Sequence, residues 1–409
     1  MRPNRANRAA DAWASFRTYP ERESHTIVGL MTGTSADAVD AALVRFEGGR
    51  GLGGRHELLA YRETPIDHAM HDEILDVASS DTVALERLLE LDASLGRLYA
   101  DAVIELLRET GIEAKDVDAI GSHGQTVRHV PRAGGAETRT LQIGSAARLA
   151  ERTGIAVVSD FRSRDAAAGG EGAPLVPLVD WWLFRSETQT RVLLNLGGMA
   201  NVTLLPRGTG AERVVAFDTG PGNAVIDALA RFASNGAQRF DEGGAAAARG
   251  RPAEGLLAEL LADPWFAQPP PRSTGRERFG ERYASKLREV GNEMGLSDND
   301  VLATAVELTS ASVAGAVEQF LAPAGPIDAV FASGGGVHNA VLMQSLERRL
   351  SPARVRTLAA LGVPPEAKEA LAFAFLAHMT LLGQPGNVPI ATGARHPVVL
   401  GSVTPGAPR

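Results

Sequence analysis

The sequence of 409 residues contains no cysteine, and only three of its 41 Lys and Arg residues are lysines. The absence of Cys excludes disulfides, thiolate-bound zinc, iron–sulfur clusters and a Cys nucleophile. None of the lysines follows a Gly, so the Gly-Lys pair of a P-loop is also missing. A nucleotide site in this chain therefore has to be built in another way.

Charge and hydropathy exclude further classes. The formal net charge is −8, with no long basic block, and aromatic residues make up 5% of the chain. This composition argues against a nucleic-acid-binding protein. No run approaches the ~18–20 apolar residues of a transmembrane helix. We therefore expect a cytoplasmic protein without a membrane or nucleic-acid partner, and the sequence leaves a homodimer open.

The Arg-rich segment 1–24 lacks the apolar core of a secretory signal. We expect it to be a disordered extension, and a weak targeting role is the alternative.

Two blocks of the sequence share one plan. In the first, the strand-like run Ile27–Met31 enters a Gly-containing turn and a returning strand. In the second, Arg191–Leu196 does the same at Gly197-Gly198. Helical patterns and a further strand follow in both. The plan predicts an α/β fold with a duplicated βββαβαβ unit whose halves flank a central cleft, a common place for ligands. Two unrelated α/β domains are the alternative.

Three Gly-containing turns have the composition of nucleotide-binding loops. Gly33 and Gly197-Gly198 let the backbone approach a ligand closely, and successive N–H groups in such turns can bind an anion. Asp37 suits an anion site only if a cation bridges it, as nucleotide-borne Mg²⁺ would. The turn Gly334–Gly336 would let a flat base pass close to the backbone. An ordinary polar hairpin is the alternative for the loop at Gly33, but its repetition at Gly197-Gly198 favours a pair of phosphate loops.

Polar side chains at strand ends suggest the chemistry. Asp218 ends a strand before two Gly and a helix, which suits a base that takes a proton from a hydroxyl or a water. A turn or helix cap is the alternative for Asp218. His123 and Gln125 suit hydrogen bonds to sugar hydroxyls. His129 lies six residues beyond His123, which is not the i,i+4 spacing of helical metal ligands, so we reject a zinc site.

Two arginines and a glutamate complete the candidate residues. Arg162 and Arg164 suit a carboxylate ligand, with a structural Arg–Asp network as the alternative. Glu369, early in a predicted helix, suits a site carboxylate, although a helix N-terminus favours an acidic residue without any function.

Taken together, the motifs resemble those of the anhydro-N-acetylmuramic acid kinases of bacterial cell-wall recycling, which belong to the actin, sugar-kinase and chaperone ATPase superfamily. The resemblance runs from about residue 27 to about residue 400. Its motifs are the Gly-Thr-Ser-x-Asp loop, Ser-His-Gly-Gln-Thr, Asp-Phe-Arg, Gly-Ala-Pro-Leu-Val-Pro, Phe-Asp-x-Gly-Pro-Gly-Asn, Ser-Thr-Gly-Arg-Glu and the triple Gly.

The resemblance implies two RNase H-like (actin-like ATPase) domains. We expect the first at residues 25–185, with one phosphate loop and the sugar-binding residues. We expect the second at residues 186–400, with the other phosphate loop, the catalytic Asp and the adenine site. Residues 401–409 would form a C-terminal tail.

The resemblance also implies the reaction. The 1,6-anhydro bond of 1,6-anhydro-N-acetylmuramic acid would be hydrolysed and O6 phosphorylated by ATP with Mg²⁺, with Asp218 as general base and Asp37 at the metal. The residues expected at the sugar are His123, Gln125, Arg164 and Glu369. The residues expected at ATP are Gly33, Thr34, Ser35, Ala36, Asp37, Ala38, Val39, Asp40, Gly197, Gly198, Asn201, Gly334, Gly335 and Gly336.

Three positions depart from the family pattern. Ala38 stands where Gly is usual, Thr32 replaces Ser, and Arg272 replaces the Lys that commonly precedes Ser-Thr-Gly-Arg-Glu. Two other functions remain open at this point. One is a kinase of the same fold with a drifted sugar substrate, and the other is a nucleotide-gated chaperone or filament module.

Overall fold

The computed structural model describes residues 16–33, 35–48, 55–132 and 136–406. The chain divides into two compact units. Unit 1 comprises Met1–Val179 and Glu366–Arg409, and unit 2 comprises Asp180–Pro365. This division differs from the predicted domains 25–185 and 186–400, because the chain returns to unit 1 at Glu366.

Thirteen strands lie within the described residues. They are β1 (Ser24–Met31), β2 (Ala38–Glu47), β3 (Arg55–Pro65), β4 (Ala119–Ser122), β5 (Gln125–Val130), β6 (Arg139–Ile143), β7 (Val157–Ser159), β8 (Arg191–Leu196), β9 (Met199–Leu205), β10 (Val215–Pro221), β11 (Ala329–Ser333), β12 (Arg354–Thr357) and β13 (Ser402–Thr404).

The α-helices of the same residues connect and cover these strands. They are α1 (His68–Ser79), α2 (Leu85–Thr110), α3 (Ala146–Thr153), α4 (Phe161–Ala167), α5 (Val176–Phe184), α6 (Asn223–Ala233), α7 (Glu254–Leu261), α8 (Arg276–Phe279), α9 (Glu281–Glu293), α10 (Asp298–Ala316), α11 (Ala340–Arg349), α12 (Lys368–Leu381) and α13 (Pro389–Thr392).

The main sheets of the two units have the same topology. In unit 1 the strand order is β3-β2-β1-β4-β7-β13, with β1 antiparallel to β2 and parallel to β4. In unit 2 the order is β10-β9-β8-β11-β12, with β8 antiparallel to β9 and parallel to β11. When the strands of each sheet are numbered in chain order, both sheets have the order 3-2-1-4-5, to which unit 1 adds β13 at the edge. This order confirms the predicted duplication of a βββαβαβ unit.

Helix α12 packs onto the unit 1 sheet at two glycines. A Cβ at Gly29 would lie 1.8 Å from the carbonyl oxygen of Ala370, and one at Gly121 would lie 2.1 Å from that of Phe373. Neither position has room for a side chain, because the helix backbone approaches strands β1 and β4 so closely. The last helix is thus part of the unit 1 core rather than of the second domain.

Ordered structure extends beyond both ends of the predicted domains. Tyr19 is 2% exposed, and its hydroxyl lies 2.7 Å from Nδ1 of His378, so the expected disordered extension is corrected at this residue. Residues 1–15 of that extension lie outside the described residues. In the expected tail, β13 pairs with the free edge of β7, because its β-branched Val403 and Thr404 suit an extended strand.

Helix α10 runs through the core of unit 2. The span Asp298–Ala324 is long and apolar enough to cross a membrane by length and composition, but 83% of its most apolar window is buried in the structure. It begins with a capping box in which Ser297 and Asp300 bond each other's backbone N–H groups. Its apolar character is explained by burial against the strands and helices of the same unit.

Candidate active site

Asp218 lies near the end of β10, where the strand pairing with β9 is irregular. It pairs with Asn201, and the register shifts between Asp218 and Gly220. Gly220 has φ 148°, a conformation that favours glycine. The bulge ends the regular pairing next to the carboxylate, as bulges beside active sites often do.

The carboxylate of Asp218 is half-buried, and burial disfavours its charged form. Burial raises its pKa to about 6, against the opposing effects of the Thr274 N–H and the Arg272 charge, while Glu277 adds to the rise. The N–H of Thr274 donates to Asp218 Oδ2 at 2.8 Å. A carboxylate with a pKa near the working pH suits a general base.

The turn Gly197-Gly198 is held by the start of α6. The N–H of Asn223 donates to the carbonyl of Gly197 at 2.7 Å, and the N–H groups of Gly222 and Ala224 donate to that of Gly198 at 3.0 and 3.1 Å. In a planar trans peptide the N–H points opposite to the carbonyl. The N–H groups of Gly198 and of the next residue therefore point away from the helix, as an anion-binding turn requires.

The glycines of the predicted nucleotide loops fall into two kinds. A Cβ at Gly33, Gly197, Gly198 or Gly335 would meet no atom closer than 3.6 Å. A Cβ at Gly336 would lie 2.6 Å from Leu196 Cβ. The open positions, Gly33 in unit 1 and Gly197, Gly198 and Gly335 in unit 2, therefore have no packing reason to be glycine.

Gly334, like Gly336, packs too closely against Leu196 to leave room for a side chain. It has φ 82°, and a Cβ there would lie 2.7 Å from the carbonyl oxygen of Leu196. Of the triple Gly, only Gly335 therefore offers free space toward a ligand.

Arg276 is a candidate phosphate contact that the sequence reasoning did not single out. A Cβ at Gly198 would lie 3.8 Å from Arg276 Nε and 3.9 Å from its Nη2. The side chain is exposed and makes no hydrogen bond or ion pair to another described residue. Burial raises the pKa of Asp227 to about 6, and the charge of Arg276 opposes this rise. Arg276 belongs to the Ser-Thr-Gly-Arg-Glu motif, which is the sequence feature that could have identified it.

The loop after β1 brings a carboxylate to the surface of unit 1. The N–H of Ala36 donates to the carbonyl of Gly33 at 3.1 Å, and Ala36 has φ 55°. The Asp37 side chain is 74% exposed, with His71 Nε2 3.8 Å away. Ser35 is exposed as well. Thr34 lies outside the described residues.

Three other members of the predicted ATP loop fit less directly. Ala36 and Val39 are fully buried, so only their backbone is left to contact a ligand. The Asp40 carboxylate accepts a hydrogen bond from the Tyr61 hydroxyl at 2.5 Å. Burial raises the pKa of Asp40, and the nearby Glu369 charge adds to the rise. The role of Asp40 at the nucleotide stays a prediction, and its Tyr61 bond already occupies one carboxylate oxygen.

His123 holds Arg162 in place. Arg162 Nε donates to His123 Nε2 at 3.0 Å, so the ring proton is on Nδ1, 2.7 Å from the carbonyl of Gly124. Burial and the Arg162 charge lower the pKa of His123 to about 3, which keeps the ring neutral. Both ring nitrogens are in use, which disfavours the predicted direct contact with a sugar.

The other predicted sugar residues keep free polar groups. Gln125 is 1% exposed, and its Oε1 has no partner among the described residues, as is also true of Ser122 Oγ. Arg164 is exposed and makes no side-chain hydrogen bond or ion pair within the described part of the chain. Glu369 is exposed near the start of α12, and its charge reaches Arg162 and Asp40.

The described residues hold no cluster of three or more His, Asp and Glu suited to a metal ion. Mg²⁺ in nucleotide sites often uses one or two carboxylates, completed by phosphates and water. The exposed Asp37 fits that role, since its oxygens are accessible.

Comparison with known proteins places the chain in a family. A family model described as anhydro-N-acetylmuramic acid kinase matches residues 25–406. The chain belongs to the anhydro-N-acetylmuramic acid kinase family. The resemblance read from the motifs is thereby confirmed.

Curated relatives agree over nearly the full length. A protein of Caldanaerobacter subterraneus subsp. tengcongensis named anhydro-N-acetylmuramic acid kinase is 44% identical over 387 residues, or 94% of this chain and 98% of the relative. One of the same name from Xanthomonas axonopodis pv. citri is 45% identical, over 94% of this chain and 99% of the relative. Among solved structures, component A of Acidaminococcus fermentans (R)-2-hydroxyglutaryl-CoA dehydratase matches with TM-score 0.45 and 12% identity, over 87% of this chain and 99% of that chain.

Two departures from the pattern of the anhydro-N-acetylmuramic acid kinase family have structural explanations. Ala38 opens strand β2 in extended backbone, where its methyl group causes no strain. Arg272 does not project into solvent toward a phosphate. It is 9% exposed, and its Nε donates to the carbonyl of Asp218 at 2.9 Å.

Proposed function

We propose that this protein hydrolyses the 1,6-anhydro bond of 1,6-anhydro-N-acetylmuramic acid and phosphorylates O6 at the expense of ATP, giving N-acetylmuramic acid 6-phosphate and ADP. Family membership over residues 25–406 supports the activity. The single observation that carries the mechanism is the half-buried Asp218 carboxylate, whose pKa burial raises to about 6.

Asp218 acts as the general base. ATP supplies the phosphoryl group. The carboxylate takes a proton from the water that attacks C1, the C1–O6 bond breaks, and O6 attacks the phosphoryl group. Positioning and charge neutralisation carry such a transfer without a covalent enzyme intermediate, in keeping with a chain that has no Cys.

In unit 2, the phosphates contact the Gly197-Gly198 turn and Arg276. The outward-facing N–H groups of the turn donate to phosphate oxygens, and the Arg276 guanidinium next to Gly198 neutralises charge. Gly335 leaves space for the adenine to pass close to the backbone. Asn201, which pairs with Asp218 across β9 and β10, lies beside this turn.

In unit 1, the loop from Gly33 to Asp37 binds phosphate and Mg²⁺. The metal neutralises phosphate charge when it is bound, and Asp37 is the carboxylate that would hold it. Gln125 Oε1, Arg164 and Glu369 contact the sugar. Arg164 would recognise the lactyl carboxylate, because a guanidinium binds a carboxylate in bidentate fashion.

The compartment and partners follow from the reaction. A kinase supplied with ATP and a recycled wall sugar acts in the cytoplasm, on small molecules, without nucleic acid. Oligomeric state is not needed for any of the contacts above.

Sugar-dependent ADP release from purified protein with ATP and Mg²⁺ tests the proposal. We expect ADP to form with 1,6-anhydro-N-acetylmuramic acid and much more slowly with hexoses or amino sugars that lack the lactyl carboxylate. ADP release only with another sugar would indicate a drifted substrate. ADP release that is independent of any sugar would contradict the proposal and favour a chaperone-like or filament ATPase.

A further inference from the structure

Three groups of Asp218, its N–H, its carbonyl and its carboxylate, are hydrogen-bonded to residues 272–274. Its own N–H donates to the carbonyl of Arg272 at 3.2 Å. Arg272 Nε donates back to the carbonyl of Asp218 at 2.9 Å, and the N–H of Thr274 donates to Asp218 Oδ2 at 2.8 Å. The position of this carboxylate is therefore set by residues 272–274 as much as by its own strand.

The guanidinium of Arg272 is anchored in an unusual place for a cation. Its carbon lies over three aromatic rings, and its Nη1 donates to three loop carbonyls. The rings are Phe217 at 5.3 Å, Trp265 at 4.6 Å and Phe320 at 5.1 Å, and the carbonyls are those of Trp265 at 3.4 Å, Phe266 at 2.7 Å and Gln268 at 2.8 Å.

This buried charge has no carboxylate in salt-bridge contact among the described residues, and its Nη2 has no hydrogen-bond partner there. Burying an unpaired cation is costly. Burial lowers the pKa of Arg272, and the charge of Asp218 opposes this shift.

We propose that Arg272 is a positioning residue that fixes Asp218 through its main chain and sets a positive charge beside its carboxylate. The inference rests on the proposed role of Asp218 as the base. If Arg272 had only a structural role, its replacement would lower the stability of the fold and leave the pH profile of turnover unchanged. A positioning residue also sets the turnover rate and the pH at which the base becomes protonated.

The direction of the pH effect follows from the charges that face Asp218. Arg272 lowers the pKa of this carboxyl group, and Glu277 and burial raise it. Without the arginine charge, the pKa of Asp218 moves above about 6. Because the deprotonated form is the base, the acid limb of the kcat/KM profile then moves to higher pH.

The test compares Arg272→Met, Arg272→Lys and the wild-type full chain between about pH 5 and pH 9. Arg272→Met should lose roughly a hundredfold in kcat, shift the acid limb to higher pH and leave KM for ATP nearly unchanged. Arg272→Lys keeps the charge but fewer hydrogen bonds, so it should restore the acid limb and only part of kcat. An unshifted limb in a folded Arg272→Met protein would overturn the proposal.

Two further measurements keep the proposal testable if Arg272→Met does not fold or the assay substrate is wrong. Glu277→Gln, at an exposed site, should move the acid limb in the opposite direction, to lower pH. Without any activity assay, the pH dependence of the stability difference between a protein and its Asp218→Asn variant reports the pKa of Asp218. That transition should lie at higher pH in the Arg272→Met background and stay near the wild-type position in the Arg272→Lys background, because lysine keeps the charge. An unchanged transition in Arg272→Met would count against the inference.

Discussion

The Asp218 carboxylate, which we propose as the base, carries its charge at the expense of stability. Its pKa moves from 3.8 to about 6 mainly because it is half-buried. The neighbouring Thr274 N–H and Arg272 charge offset only part of that cost. Residues whose burial suits the chemistry rather than the fold are typical of active sites.

Asp218→Asn should abolish turnover, leave ATP binding largely intact and stabilise the fold at neutral pH. The raised pKa corresponds to at most about 3 kcal/mol. Above about pH 6 the wild type carries the full cost of the charge, and below about pH 4 the carboxyl group is neutral in both folded and unfolded states. Denaturant unfolding across this range measures the gain. Near-normal turnover, or a gain that grows as the pH falls, would contradict this role.

Arg276 offers a second test at the same scale. Arg276→Ala should lower kcat/KM for ATP by about tenfold to a hundredfold, because a guanidinium beside Gly198 would no longer neutralise phosphate charge. Arg282→Ala, also exposed but on α9, is the matched control and should behave as wild type. Equal effects in the two variants would remove Arg276 from the phosphate site.

Glycines act at the level of strands and turns in two distinct ways. Gly29 and Gly121 let a helix approach a sheet, and Gly336 lets the end of β11 pack on Leu196. Gly33 and Gly335 have no such neighbour, so their missing side chain leaves space rather than contact. The same residue type thus allows close packing in one element and leaves open space in another.

Gly335→Ala and Gly336→Ala separate these two uses. The Cβ of an alanine at 335 would lie 3.6 Å from Asn223 Nδ2, so the variant should fold normally but bind ATP more weakly. At 336 the Cβ would lie 2.6 Å from that of Leu196, so the melting temperature should fall. Calorimetric titration with ATP and thermal unfolding measure the two effects. Unchanged ATP affinity in Gly335→Ala would place the nucleotide elsewhere.

Local sequence patterns predicted those elements that carry strong apolar or glycine signals. The strand Arg191–Leu196 was predicted with both ends as observed. The hairpin β5–β6 and the polar edge strand Arg354–Thr357 were missed, because short polar strands lack a clear alternation of apolar residues. A helix such as α12 was predicted, but its return to unit 1 depends on distant packing that no local pattern contains.

The candidate site shows the same limit. Asp218 and the Gly197-Gly198 turn were singled out because the first lies near the end of a strand and the second follows one. Arg276 lies near that turn but far from it in the chain, so no spacing rule predicts their proximity. His123 was placed at the right strand end, but its bond to Arg162 gives it a supporting role that only the structure shows.

For the whole molecule, the two units are built differently from one chain. Unit 2 is continuous, Asp180–Pro365, and has its own apolar core. Unit 1 is assembled from two segments, and its sheet requires α12 and β13 from the second. The continuous unit is therefore the one able to fold from a single segment.

Excised fragments test this difference. A fragment of residues 176–365, which keeps α5 whole, should fold cooperatively by circular dichroism. Residues 1–179 alone should not, because Gly29 and Gly121 would expose the surface that α12 covers. Adding a peptide of residues 366–409 should restore structure to that fragment. Cooperative unfolding of residues 1–179 without the peptide would contradict the assignment of α12 to the unit 1 core.

The most direct test of the central claim is mass spectrometry of the sugar formed from 1,6-anhydro-N-acetylmuramic acid, ATP and Mg²⁺. We expect N-acetylmuramic acid 6-phosphate, which is one phosphoryl group and one water heavier than the substrate, formed together with ADP and lost in Asp218→Asn. A phosphorylated sugar with its anhydro ring intact, or no phosphorylated sugar at all, would contradict the proposed reaction.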